Sequence, residues 1–437
     1  MRRSMVMAVL APVVLMSGCV TPPPTQGSAL PTTSASSASV ETPTSGTQTT
    51  ATSSSITPAV PSPPAATPTG ALPVDLNAAL RDAARKNDVA TAERLIDAGA
   101  DVNAKDSAQE SAYLLATSET PGGGAEMLEL LLKRGANLDD KDSYNGTGLI
   151  RAADRGFFHI CGVLLRAGIS KDHVNRLSWQ AIHEAIWLGK GGETHTATIR
   201  VLVAGGVQLD RPDGTGRTPL AMAQQRGPAT AVDLLEKARQ PYAGDPSANL
   251  LTAAAKGDAN GVALALRAGA NIEAIDSNRR TALLLAVTNN HVAVAQVLVA
   301  IGASPNALDA QHDTPWLVTG VTGSVEMLEA LLPAHPDMTI RNRYGGISVI
   351  PAAERGHVDY VRRVVQTGIN VNHVNDLGWT ALLEAVILGD GGPRHQEIVR
   401  ILLASGADRT IADKNGVTAL RHAEQKGYTA IAALLRA

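Results

Sequence analysis

The chain has 437 residues, long enough for two or three ordinary domains, with 38 basic and 41 acidic residues and only two cysteines. Composition changes twice along it: residues 1–19 are apolar behind Arg2 and Arg3, residues 20–74 hold one charge at Glu41, and a folded protein's mixture begins at Asp75. Setting Arg2, Arg3 and Glu41 aside leaves 36 basic and 40 acidic residues, a net of -4. Nucleic acid is therefore excluded as a partner, since neutralising phosphates needs a basic excess.

In chain order, the first element is a targeting segment. Two arginines precede an apolar run from Met5 to Met16, which is too short to cross a membrane and is closed by Ser17 and Gly18. Leu15-Met16-Ser17-Gly18-Cys19 resembles the lipobox of bacterial lipoproteins. That resemblance implies that residues 1–18 are a signal peptide and that Cys19 is lipidated and starts the mature chain. Val20 is not the acidic residue associated with inner-membrane retention, so the resemblance implies a lipid anchor in the cell envelope, at the outer membrane facing the periplasm. Cys161 is then left without a partner, inside an apolar helical pattern with Ile160, Val163 and Leu164, where a free Cys acts as a small core residue.

The same resemblance makes residues 19–74 a lipidated Cys followed by a tether. The segment from Val20 holds 11 of the 24 prolines among Ser/Thr runs and has too little apolar surface to offset chain entropy, so disorder is expected. As a coil it averages roughly 40 Å end to end, with an outer limit of about 180 Å.

From Asp75 a helical pattern followed by a glycine turn recurs. Gly99, Gly135, Gly168 and Gly206 mark one series and Gly269, Gly302, Gly368 and Gly406 a second, with His335 in the slot between Gly302 and Gly368. The spacing centres on about 33 residues. Thr218, Thr281, Thr314, Thr380 and Thr418 are placed to cap first helices, Pro219 and Pro315 fit first turns, and the glycines end second helices. Runs such as Leu130-Leu131-Leu132, Val297-Leu298-Val299 and Ile401-Leu402-Leu403 are second helices that need neighbours on both sides. Gly-Ala-Asp-Val-Asn at 99–103, Arg-Thr-Pro-Leu at 217–220 and Asn-Gly-Val-Thr-Ala-Leu at 415–420 resemble ankyrin repeats. The resemblance implies an all-α solenoid of about eleven helix-turn-helix repeats with hairpin tips. It falls into two arrays, residues 75–240 and 248–437, with a kink or an imperfect continuation of the stack at Pro241–Pro246 and a second array that folds by itself. The arrays are duplicates, because Glu126-Met127-Leu128-Glu129 returns at 326–329 and a shift of 200 holds to about residue 210.

Two features recur at that shift. His173, Asn175, Arg176 and Trp179 form a hairpin tip matched by His373, Asn375, Asp376 and Trp379. In the same repeats a five-residue insertion separates the helices, placing His195 and His395 on a loop. Inheritance from a duplicated ancestor accounts for such features, and so does partner binding at the tips, since exposed aromatics and arginine supply most binding energy. The glycines of the insertion are not followed by Gly-Lys-Ser/Thr, His183-Glu184 has no second His at zinc spacing, and no nucleophile motif occurs. No catalytic residue, metal or cofactor is expected, nor a small-molecule substrate. The expected function is a membrane-anchored scaffold that grips a protein partner on the concave surface. An immunity protein that neutralises a toxin is the nearest rival, and a hydrolase or ligand-binding enzyme using the looped repeats is the rival of another class.

Overall fold

The computed structural model describes residues 74–120, 124–189 and 191–437. Cys19, the signal segment and the tether up to Pro73 lie outside the described residues, as does Lys190 of the first inserted loop. The described residues are all-α, with twenty-two α-helices in eleven pairs and isolated bridges at hairpin bases such as Lys141–Thr147. The first five pairs are α1 (Leu76–Lys86) with α2 (Val89–Asp97), α3 (Ala112–Ser118) with α4 (Ala125–Lys133), α5 (Gly148–Arg155) with α6 (Phe158–Arg166), α7 (Ala181–Leu188) with α8 (Glu193–Ala204), and α9 (Pro219–Arg226) with α10 (Ala229–Ala238). The next three are α11 (Pro246–Lys256) with α12 (Ala259–Arg267), α13 (Ala282–Thr288) with α14 (Val292–Ile301), and α15 (Pro315–Thr322) with α16 (Val325–Leu331). The last three are α17 (Val349–Glu354) with α18 (Val358–Val364), α19 (Ala381–Ile387) with α20 (Pro393–Ala404), and α21 (Ala419–Gln425) with α22 (Thr429–Arg436).

The local rules hold residue by residue. Each of the five threonines accepts a hydrogen bond from the backbone N–H three residues on, as Thr281 does from Leu284 at 3.2 Å. The turn glycines all sit at positive φ, and His335 takes the same left-handed conformation at φ 49°. Cys161 is fully buried, and that burial pushes its thiol far above the usual range, as suits a core residue. α11 starts at Pro246 rather than at residue 248, because Asp245 caps it and Pro246 fits its first turn.

Between the arrays the chain turns back on itself. First helices pack in sequence from α1 to α9 and again from α11 to α21, while the row of second helices carries straight on, α10 packing on α12. Beyond that corner α12 packs on α8, and α14 on both α6 and α8. Further along, His335 Nε2 lies 3.1 Å from Glu129 Oε2, two residues 206 apart in sequence. The arrays thus meet back to back along their second helices, and the rows of first helices lie on opposite outer sides. This differs from a kinked continuation of one stack. The reason is visible in burial: α4 and α16 bury one stripe each (Met127, Leu128, Leu131 and Met327, Leu328, Leu331), whereas α6, α8 and α14 bury consecutive residues around the helix, such as Val201 to Ala204 and Val297 to Ala300. A helix buried all round needs cover on two sides.

Gly162 sets the closeness of this seam. A Cβ there would fall 2.2 Å from the carbonyl oxygen of Ala300, on the backbone of α14. Polar groups complete it. Arg166 donates to the Ala300 carbonyl, Arg267 Nη1 donates to Val207 O at 2.9 Å, and Arg200 Nε donates to Asn260 Oδ1 at 2.9 Å. The duplicated helix α18 carries Arg362 and Arg363 where α6 carries Gly162 and Val163, and these arginines pair instead with Asp359 and Glu329. A fragment starting at Ser247 strips α6 and α8 from α14, so we expect it to be less stable than the same repeats in the full chain.

Gly162→Ala tests the seam. In an open helix this change gains about 1 kcal/mol of helix propensity. Against a backbone atom that no rotamer can move, overpacking costs about 1–3 kcal/mol. We expect thermal unfolding to show a lower Tm than the wild type, and an unchanged or raised Tm would contradict the close contact.

Candidate functional site

On the outer face of each array, first helices and hairpin tips enclose a cavity, of about 450 Å³ in the first array and about 330 Å³ in the second. The two are the same site twice. Asp142, Tyr144, Ile150, Asp154, Asn175, Leu177 and Glu184 line the first, and Asn342, Tyr344, Ile350, Glu354, Asn375, Leu377 and Glu384 line the second at the shift of 200. Tyr144 and Leu177 are 71% and 60% exposed, Tyr344 and Leu377 55% and 49%, so each cavity has an apolar rim open to solvent.

One asparagine organises each floor. Asn175 Oδ1 accepts from the N–H groups of Leu177 and Trp179 at 2.9 and 3.0 Å, closing the hairpin, while its Nδ2 donates to Glu184 Oε1 at 2.8 Å. Asn375 does the same with Leu377, Trp379 and Glu384, the last at 2.8 Å. In two other repeats the pair nine residues apart has the opposite polarity: Asp142 accepts from Arg151 at 2.9 Å, and Asp413 meets His422 at 2.9 Å. Where those two repeats have a carboxylate-cation brace, the looped repeats have an amide-carboxyl one. The consequence is electrostatic. Burial, reinforced by the charge of Asp154, pushes the Glu184 carboxyl up to about 7, against the pull of its bond from Asn175. Burial, reinforced by Glu354, likewise pushes Glu384 up to about 7.

The two cavities differ at one corner. In the first, Arg151 holds Glu110 through both terminal nitrogens at 3.1 and 3.0 Å, bonds Asp142 and donates from Nε to Ser118 Oγ at 3.1 Å. In the second, Pro351 replaces that arginine and Val321 and Leu388 enter the lining, giving a more apolar cavity. Neither lining set includes His or Cys, and among the described residues no group of three or more His, Cys, Asp or Glu side chains is arranged to hold a metal ion.

Known proteins share the repeat. A family model of ankyrin repeats (3 copies) matches residues 80–175, 316–413 and 352–437, and a single ankyrin repeat matches 278–310. The chain belongs to the ankyrin-repeat family. It is 39% identical over 189 residues to the putative ankyrin repeat protein YahD of Escherichia coli (strain K12), covering 43% of this chain and 94% of that protein. It is 28% identical to the ankyrin repeat and KH domain-containing protein mask-1 of Caenorhabditis elegans over 56% of this chain, which spans only 10% of that relative. Among solved structures, an ankyrin repeat domain from Acinetobacter baumannii AYE is 45% identical with a TM-score of 0.42, covering 43% of this chain and 95% of that one. Ankyrin repeats are protein-interaction modules, and the coarse function of this chain is that of an interaction scaffold.

Within this ankyrin-repeat frame the residues singled out in the sequence fall into two groups. Asn175, Arg176 and Asn375 line the cavities, and Asp376 is exposed beside the second, its N–H bonded to Tyr344 O at 3.0 Å. His173 and His373 are half-buried, each with Nε2 on the carbonyl of the preceding hairpin, Asn145 at 2.8 Å and Gly345 at 2.6 Å. Trp179 and Trp379 are half-buried against the core, and Trp179 meets Trp187 edge-on at 6.1 Å. The end of each inserted segment joins the second helix: α8 and α20 run 12 residues from Glu193 and Pro393, and His195 and His395 stand in their first turns rather than on a loop. Each bonds the carbonyl of its cavity acid, Asp154 at 2.8 Å and Glu354 at 2.9 Å. Sequence reasoning missed Tyr144, Tyr344, Leu177, Leu377, Glu184 and Glu384 as a set. The signal was available in the shift of 200 combined with the nine-residue pairing of tip and helix.

The raised carboxyls predict a pH dependence. An unfolded Glu releases its proton near 4.5, whereas Glu184 and Glu384 hold theirs to about 7, so between those values the folded chain binds the extra protons. Stability from these groups is therefore full at and below 4.5 and falls as pH rises through 7. We expect the urea midpoint of the wild type to drop more between pH 5 and pH 8 than that of the Glu184→Gln/Glu384→Gln variant. Equal drops in the two proteins would contradict the assignment.

Proposed function

We propose that this ankyrin-repeat chain is a lipid-tethered scaffold of the bacterial cell envelope, which holds a protein partner in the two duplicated outer cavities. The observation that carries the reading is the paired exposure of a tyrosine and a leucine at the rim of each cavity, Tyr144 with Leu177 and Tyr344 with Leu377. Exposed aromatic and aliphatic groups around a concavity are costly to leave in water and supply anchor energy when covered. The back-to-back arrangement turns the cavities to opposite sides, so one flat partner surface does not reach both. Two partner molecules, or one that wraps around the scaffold, fit the geometry, and the apolar corner at Pro351 and Leu388 gives the second cavity its own preference. The near-neutral Glu184 and Glu384 are accounted for as hairpin braces, and no reaction is assigned to them.

The anchor rests on the resemblance of Leu15 to Cys19 to a lipobox, and the outer membrane facing the periplasm is the proposed destination. No helix among the described residues is long and apolar enough to cross a membrane, so attachment through lipid at Cys19 is the route we propose. Two variants test the parts separately. Cys19→Ser is expected to move the protein from the membrane fraction to the soluble one, and a wild type recovered soluble and unacylated would overturn the anchor. Alanine at Tyr144, Leu177, Tyr344 and Leu377 together is expected to abolish partner capture from crosslinked envelopes while leaving Tm and membrane attachment unchanged. Undiminished capture of the same partner would remove the cavities from the interface.

A further inference from the structure

The seam between the arrays leaves a second concavity, of about 700 Å³, that belongs to neither repeat face. Its walls come from both arrays, α6 and the start of α8 on one side, α14 and α16 on the other. The lining is largely apolar. Phe157 and Phe158, the only two phenylalanines of the chain, face Val292, Val299 and Ala330 across it, and both rings are left half-exposed. Around this apolar floor stand Glu193, Glu326 and Glu329, all exposed, and no Lys or Arg is among the lining residues. Glu329 shares its charge with Arg363, which leaves Glu193 and Glu326 as the main charges of the rim.

We propose that this groove docks a polypeptide segment of a second protein, helical, apolar on one face and flanked by Lys or Arg. Apolar area between two arrays accepts the apolar face of a helix, as helix-in-groove recognition requires. The acidic rim selects the sign of the flanking charge. The same charge argument disfavours the other occupants. The tether of residues 20–74 carries Glu41 as its single charge and offers nothing to the glutamates. A second copy presenting the same groove brings like charges together. The segment touches α6 and α14 at once, so its binding also clamps the seam and opposes separation of the arrays.

The test uses the full chain and a fluorescent helical peptide of Leu and Lys with all Leu on one face, read by anisotropy. We expect saturable binding that falls about tenfold or more in Glu193→Lys/Glu326→Lys. Each lysine enters the first turn of a helix, α8 or α16, so a modest loss of Tm accompanies it, and Glu193→Gln/Glu326→Gln, which removes the charges without placing cations there, is expected to weaken binding as well. Binding is expected to be unchanged in Tyr144→Ala/Leu177→Ala, which damages only the outer cavity and so separates this proposal from the scaffold reading. A peptide of the same pattern with Glu in place of Lys should not bind. The proposal is overturned if the Leu/Lys peptide fails to bind the wild type, if the charge-reversed variant binds it equally well, if the Glu peptide binds as tightly, or if a peptide of residues 20–74 displaces it.

Discussion

A helix that buries residues on two faces must be covered on two sides, and α14 is such a helix, with Val294, Ala295, Val297, Leu298, Val299 and Ala300 all buried. One repeat row covers one side only. The rest of the architecture follows from supplying the other side. The chain turns back after α10, α6 and α8 come to lie on α14, and Gly162 removes the one side chain that would hold the backbones apart. Because second helices are used for this contact, the first helices and hairpin tips are turned outward on two opposite faces. The position of the outer cavities is thus a consequence of the seam.

Duplication supplied both halves of this arrangement, and divergence gave them different tasks. The cavity residues are retained across the shift of 200: Asn175 and Asn375, Glu184 and Glu384, Leu177 and Leu377, Tyr144 and Tyr344. The second helices have drifted apart. Gly162, which faces α14 closely, and its neighbour Val163 correspond to Arg362 and Arg363, which reach acidic partners at the surface. At these two positions the helix that enters the seam carries no charge, and its exposed copy carries two. The same division shows at the groove, where Phe157 and Phe158 correspond to His357 and Val358 at the shift of 200, whereas the outer cavity keeps its residues.

Much of this was legible in the sequence, for local reasons. Caps at Thr281 or Thr380, first-turn prolines and left-handed glycines act through hydrogen bonds within a few residues, so type and spacing identify them without tertiary knowledge. Even the substitution of His335 for a turn glycine was readable from its slot. The turn between the arrays was not read, although its trace was present in the contrast between the single buried stripe of α4 and the continuous apolar run of α14. An apolar run announces that a helix is covered but does not name what covers it. The candidate site was half legible for a similar reason. Asn175 and Asn375 stood out as a recurring tip, but their partners Glu184 and Glu384 lie on the following helix, and Tyr144 and Tyr344 belong to the preceding repeat. His173 and His373, conspicuous as residue types, bond the neighbouring hairpin's carbonyl, a contact between repeats that composition does not show.

The two arrays fold back to back rather than continuing as one stack. Glu129 and His335 report on it directly, since they sit in the second and eighth repeats and meet at 3.1 Å. In a continuous solenoid, six repeats at about 10 Å each would hold these positions roughly 60 Å apart. Cysteines placed at both positions, in a full chain carrying Cys19→Ser, should be joined within single molecules by a crosslinker spanning only a few ångströms, because Cys161 is buried and does not compete. Efficient intramolecular joining is the result the fold-back predicts. Absence of joining, with both cysteines fully reactive toward a thiol label, would contradict it.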